Sequence, residues 1–121
     1  MDKANFFQIE QIGDGIFLVK LDIDHIIFKS HFPEFPILPG SCIAEIIRSA
    51  CVVMLSKSVR ISRVNSMKFI VPIRPETQAA YHLYLSYEGK GGTMEVQSTI
   101  RNGTIIHCKA VLTLTQDEHE C

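Results

Sequence analysis

His31 and Glu45 are the two side chains of this sequence whose types and settings point to acid–base chemistry. An imidazole with an unperturbed pKa of about 6.5 can exchange a proton near neutral pH. A glutamic acid can act as its counterpart where burial raises its pKa. Both lie in one stretch, SHFPEFPILPGSCIAEIIRS, residues 30–49. His31, Pro33, Pro36, Pro39 and Gly40 all fall within ten residues, and each proline fixes its own φ near about −65° and restricts the residue before it. Such a loop is stiff and suits holding one side chain still, since functional residues concentrate on loops carried by a rigid scaffold. An ordinary pre-helix turn with a structural histidine is the competing reading. Pro39-Gly40-Ser41 reads as a helix start with Gly40 or Ser41 at the N-cap, where the orphan amides of the first turn form an anion site.

The element that must carry Glu45 is a helix over about residues 41–56. Ile43, Ile46, Ile47, Ala50, Cys51 and Met54 recur at helical spacing and make one apolar stripe. Glu45, Ser49 and Val52 fall on the opposite face, with Arg48 at its margin. On that face Glu45 can be a solvated first-turn acid favoured by the helix dipole. Val52 and Val53 leave the face only partly polar, so a helix covered on both sides stays open as well.

Most of the remaining chain reads as strand. Residues 1–12, with Phe6, Phe7, Ile9 and Ile12, fit a short helix or a first strand equally. Phe17, Val19, Leu21 and Ile23 alternate with polar or outward positions after a Gly13-Asp14-Gly15 turn, and His25 to Lys29 continue into the loop. After the helix come Arg60–Val71, stopped by Pro72 and Pro75, then Ala79–Tyr87 with Tyr81, Leu83, Leu85 and Tyr87 on one face. Thr93–Ile100 and Thr104–Leu114 follow, joined at Asn102-Gly103 in a hairpin. Residues 115–121 read as a frayed polar tail. Five or six antiparallel strands and one helix that is apolar nearly all round make an α+β arrangement, with the sheet wrapped about the helix.

The 121 residues, 46% hydrophobic, suit one domain with a core over about residues 15–115. Twelve basic against thirteen acidic residues, a net charge of −1, argue against nucleic acid and against an electrostatically held membrane surface. With no 18-residue apolar run and a mixed polar start, MDKANFFQIEQ, the chain is expected to be soluble, without a membrane span, and cytoplasmic. Cys42, Cys51, Cys108 and Cys121 show no CxxC pairing, so reduced thiols are expected. The scattered histidines offer no zinc pattern, and no metal is expected.

The run HFPEFPILPGSCIAE resembles the signature of the FabZ/FabA-like 3-hydroxyacyl-[acyl carrier protein] dehydratases of the hotdog-fold superfamily. From His31, the helix-start Gly40 and the acid Glu45 follow at that family's spacing, and FIVPIRPET at 69–77 resembles its second, proline-containing block. Ser30, Glu34, Arg48 and Ser49 depart from it, with Ser49 standing where these dehydratases usually place glutamine.

The resemblance implies a hotdog fold and a hydro-lyase that converts 3-hydroxyacyl thioesters to trans-2-enoyl thioesters in fatty acid or related polyene or polyketide-like lipid synthesis. Loss of water requires removal of the C2 proton, a donor for the growing thioester oxyanion and departure of the C3 hydroxyl. His31 is then the base, Glu45 protonates or orients the leaving hydroxyl, and the Gly40 amide is the oxyanion donor. Phe32, Pro33, Ile37 and Ser49 join them in binding substrate. No organic cofactor is implied. The acyl chain would arrive on the phosphopantetheine of an acyl carrier protein, and His31 of one subunit would face Glu45 of another in a homodimer or an oligomer of dimers. A hotdog thioesterase or enoyl hydratase acting on acyl-CoA, or a non-catalytic acyl-binding subunit, are the alternatives. Two geometric expectations follow. The Phe32-Pro33 bond is strained or cis, and Arg48 points away from Glu45, toward solvent or a subunit rim, because an arginine-bound carboxylate stays ionised and cannot donate a proton.

Overall fold

The computed structural model describes residues 6–30, 37–74 and 80–117. Its elements run β1 (Phe7–Gly13), β2 (Ile16–Leu21), α1 (Ile26–Ser30), α2 (Gly40–Leu55), β3 (Val59–Phe69), β4 (Tyr81–Lys90), β5 (Thr93–Asn102) and β6 (Ile105–Gln116). All six strands join in one antiparallel sheet of order β1-β2-β4-β5-β6-β3. β3 therefore leaves its sequence neighbour β4 and closes the far side of the sheet against β6, so β1 and β3 are its edges.

Cross-strand register explains which residues meet the helix. Leu83 pairs with Ile100 and Ile100 with Cys108, while Val96 pairs with Leu112 and Met94 with Leu114. Side chains of directly opposed residues share a face, and Leu83, Val96, Leu112 and Leu114 are wholly buried on it. Phe17 and Val19 extend the face through β2. Against it lies the stripe of α2, where Ile46, Ile47, Ala50 and Cys51 are buried together with Cys42, Ile43 and Ala44. Burying one such aliphatic side chain is worth roughly 1.5–3 kcal/mol, so this shared layer holds the helix to the sheet. Cys42, Cys51 and Cys108 are free and buried, and burial pushes the Cys51 thiol up to about 12.

The expected helix is present, one residue earlier than its predicted span. It ends at Ser56, which takes a left-handed φ of 56° and donates its amide to the Val52 carbonyl at 2.8 Å. Residues 26–30, expected as loop, form the short helix α1 instead, with Phe28 inserted in the core. The described part of the N-terminal stretch forms strand β1, and residues 1–5 lie outside the described residues. At the other end, residues 115–117 of the expected tail are ordered: β6 runs to Gln116, and Asp117 accepts a 2.7 Å hydrogen bond from the Ser58 hydroxyl, while residues 118–121 lie outside the described residues. Tyr87, grouped with the inward residues of β4, is exposed although its partner Val96 is buried.

Gly15 shows why the first hairpin needs glycine. Its φ is +70°, and a Cβ there would run into the Leu85 carbonyl oxygen, while its own carbonyl accepts the Leu85 amide at 2.7 Å. No helix among the described residues is long and apolar enough to cross a membrane.

Candidate active site

The lead-in to α2 is fixed before the helix begins. The Leu38 amide donates to the Ile73 carbonyl at 2.7 Å, which ties this approach to the segment after β3. Pro39, not Gly40 or Ser41, is the N-cap: its φ of −69° and ψ of 157° are the extended geometry a cap requires, and its carbonyl accepts the Cys42 and Ile43 amides at 3.0 and 3.1 Å. The Gly40 and Ser41 amides precede the first intrahelical bonds, which is the arrangement an oxyanion donor needs. Gly40 also lies against the edge strand. A Cβ on it would lie 2.9 Å from Cζ of Phe69 and 3.5 Å from Sδ of Met67, so the bare residue lets the Phe69 ring lie over the helix start. Ile37 is half-buried just before the cap.

Glu45 occupies the polar flank of α2, its side chain 42% exposed. Three donors hold it. Arg48 Nε donates to Oε1 at 2.9 Å, Arg48 Nη2 to Oε2 at 2.7 Å, and the Ser49 hydroxyl to Oε2 at 3.2 Å. Ser49 thus anchors the acid from one turn further along the helix. Arg48 does the opposite of what was expected: it turns toward Glu45 in a forked ion pair. The reason is local. Three residues along a helix bring the two side chains side by side, the planar fork matches a carboxylate, and Nη1 reaches the Val59 carbonyl at 3.1 Å, tying α2 to the start of β3. The Arg48 hydrogen bonds hold the Glu45 carboxyl below the ordinary 4.5, against a burial effect that raises it, with the Arg48 charge and the Ser49 hydroxyl lowering it further. Glu45 is accordingly a carboxylate at neutral pH.

His31, Phe32 and Pro33, and with them the expected strained bond, lie outside the described residues. The described part of the site therefore comprises Ile37, Gly40, Glu45 and Ser49, all from one helix and its lead-in.

Sequence reading missed three contributors. Phe69 and Met67 cover the helix start; Phe69 opens the FIVPIRPET block, but nothing in that block says where its ring goes. His107 is the third. A register shift beside it, between Ile100 and Arg101, lets it join Cys108 in the interior. Its Nδ1 donates to the Val71 carbonyl at 2.9 Å, and its own carbonyl accepts the Ile70 and Val71 amides. His107 so braces the segment that leads to Ile73 and, through Leu38, to the helix cap.

Comparison with known proteins agrees with this architecture. Residues 10–107 match the family described as ApeI-like, ApeI dehydratase. The 3-hydroxyacyl-[acyl-carrier-protein] dehydratase FabZ of Thermotoga petrophila is 32% identical over 111 residues, covering 88% of this chain and 80% of the relative. Among solved structures, the dehydratase heterocomplex ApeI:P from Xenorhabdus doucetiae superimposes with a TM-score of 0.66 at 19% identity, over 89% of this chain and 94% of that one. A hypothetical thioesterase with coenzyme A from Streptococcus pneumoniae gives 0.64 at 17% identity, over 92% and 85%. These likenesses show the hotdog fold. The match over most of the chain shows more: this protein belongs to the ApeI-like dehydratase family.

Proposed function

We propose that the protein removes water from 3-hydroxyacyl thioesters presented on an acyl carrier protein, giving trans-2-enoyl thioesters for fatty acid or related polyene or polyketide-like lipid synthesis. The observation that carries this reading is Glu45, a partly exposed carboxylate clamped on the polar flank of a helix whose opposite stripe is buried, in a chain of a dehydratase family. His31 takes the C2 proton, the C2–H electron pair becomes the new double bond, and the Gly40 amide steadies the charge that grows on the thioester oxygen. Since the Arg48 pair keeps Glu45 ionised, Glu45 orients the leaving hydroxyl by accepting its hydrogen bond. The proton that converts hydroxide to water then returns from the His31 imidazolium. No step calls for a metal or an organic cofactor. The FabZ relative supports the carrier-borne substrate by its name alone.

The same ion pair favours a second reading. A carboxylate ready to activate water suits addition of water to an enoyl thioester, the reverse direction of the same chemistry, with coenzyme A as an alternative carrier.

Purified protein offered a panel of 3-hydroxyacyl and enoyl thioesters, on carrier protein and on coenzyme A, separates these outcomes by mass spectrometry. The proposal expects loss of one water from the carrier-bound 3-hydroxyacyl substrates. Hydrolysis to free acid, turnover confined to coenzyme A thioesters, or no turnover by folded protein would refute it, the last favouring an acyl-binding subunit.

A further inference from the structure

The sheet has a second face, turned away from α2, that the proposed chemistry does not use. Strand register puts two like-charged pairs directly opposite one another on it. Glu88 faces Glu95 across β4 and β5, and Lys68 faces Lys109 across β3 and β6. All four are exposed, and among the described residues none of them is in an ion pair. Like charges set directly across two strands destabilise the pairing. One such pair is a common surface accident, but two of opposite sign on one face each lack what the other has.

Their placement is regular. Ser86, Gln97, Val111 and Ser66 form an uncharged row across β4, β5, β6 and β3, and a groove of about 730 Å³ opens over it, lined also by Tyr84 and Lys109. The acidic pair lies on one side of this row. The basic pair lies on the other, in line with Thr99 and Tyr84, and Arg101 sits 6.0 Å over the Tyr84 ring to add to that end. Four residues along a strand separate the two pairs, about 13 Å at roughly 3.3 Å per residue, and they are offset by two strands across the sheet.

We propose that this outer face is an interface with a second copy of the chain. A two-fold axis passing near Gln97 and Val111 would set the Glu88/Glu95 pair of each copy against the Lys68/Lys109 pair of the other. Such an isologous contact must be self-complementary, and a face carrying both signs at symmetric distances from a neutral row meets that condition. The diagonal offset makes the strands of the two copies cross steeply, which is the near-orthogonal class of sheet packing. An acidic partner protein would satisfy the lysines and leave the glutamates facing one another, whereas a second copy satisfies both. The contact uses neither α2 nor the β3 edge, so it is independent of the proposed reaction and of any dimer formed through those elements.

The test is the mass of the whole chain in solution, by sedimentation and light scattering. The wild-type assembly should weaken as salt screens the charges. Lys68→Glu/Lys109→Glu and Glu88→Lys/Glu95→Lys should each halve the mass. Mixing those two variants should restore it, since one then carries acids and the other bases at all four paired positions. The milder Lys109→Gln and Glu95→Gln, at exposed positions that leave the sheet intact, should each weaken association several-fold even if a reversal variant misfolds. A wild-type mass unchanged in the folded reversal and glutamine variants, or a mixture that fails to regain it, would overturn the proposal.

Discussion

Glu45 and Arg48 form a unit in which each explains the other. The carboxylate accepts two bonds from the guanidinium, and the guanidinium spends its remaining reach on the Val59 carbonyl. The consequence can be measured as a pH dependence of stability. The folded state lowers the Glu45 pKa below 4.5, so its contribution is present above the unfolded value and is lost as pH falls through the folded one. Glu45→Gln should therefore be less stable than wild type at pH 7 by at most about 1 kcal/mol, since the pair is partly exposed, and the gap in thermal midpoint should narrow as pH falls below 4.5. A gap that stays constant from pH 7 to pH 3 would mean that the ion pair contributes nothing.

The long helix shows what a sequence can and cannot disclose about an element. Ile43, Ile46, Ile47, Ala50 and Cys51 announce their own period, and all are buried as that period requires. Ile47→Ala should cost about 2–5 kcal/mol in denaturant unfolding, the range for a large-to-small change in a closed core. Apolar alternation likewise marked β2 and β4, Asn102-Gly103 marked the hairpin of β5 and β6, and the proline-rich stretch before α2 marked the helix start. What stayed hidden depends on partners far away in sequence. Arg48 could face either way until β3 supplied the Val59 carbonyl. His107 sits in a run that alternates well enough to pass for an outward residue, and only the irregular pairing with β5 brings it inside. The short α1 was masked because its five residues are too few to display a period. The contact of Phe69 with Gly40 joins two segments that share no local pattern.

At the scale of the molecule, β3 is an eleven-residue edge strand, and Val64, Phe69, Ile70 and Val71 along and just beyond it are exposed, as is Val53 on α2. Apolar groups on an open edge suit burial by another subunit, and we propose, as the family resemblance implies, that His31 of one chain works with Glu45 of the next. His31→Ala and Glu45→Gln homodimers should each be nearly inactive. Mixed and allowed to exchange, they should regain up to about a quarter of wild-type activity, because about half the dimers are then hybrid and each hybrid has one intact site of two. A fully exchanged mixture of folded variants that stays inactive would assign both residues to one subunit or overturn their roles.

The sheet order has a consequence for the growing chain. β3 leaves the ribosome well before β6, the only strand it pairs with among the described residues, and at about 5–20 residues per second the interval lasts seconds. During that wait α2 also lacks most of the surface it is to be buried against. Arg60, Arg63 and Lys68 along β3, with its two register shifts between Ile61 and Arg63 and between Val64 and Ser66, are features that keep an unpaired strand from templating another. The order in which the strands are made thus falls out of step with the order in which they sit, and the charged, kinked β3 is built to survive that interval.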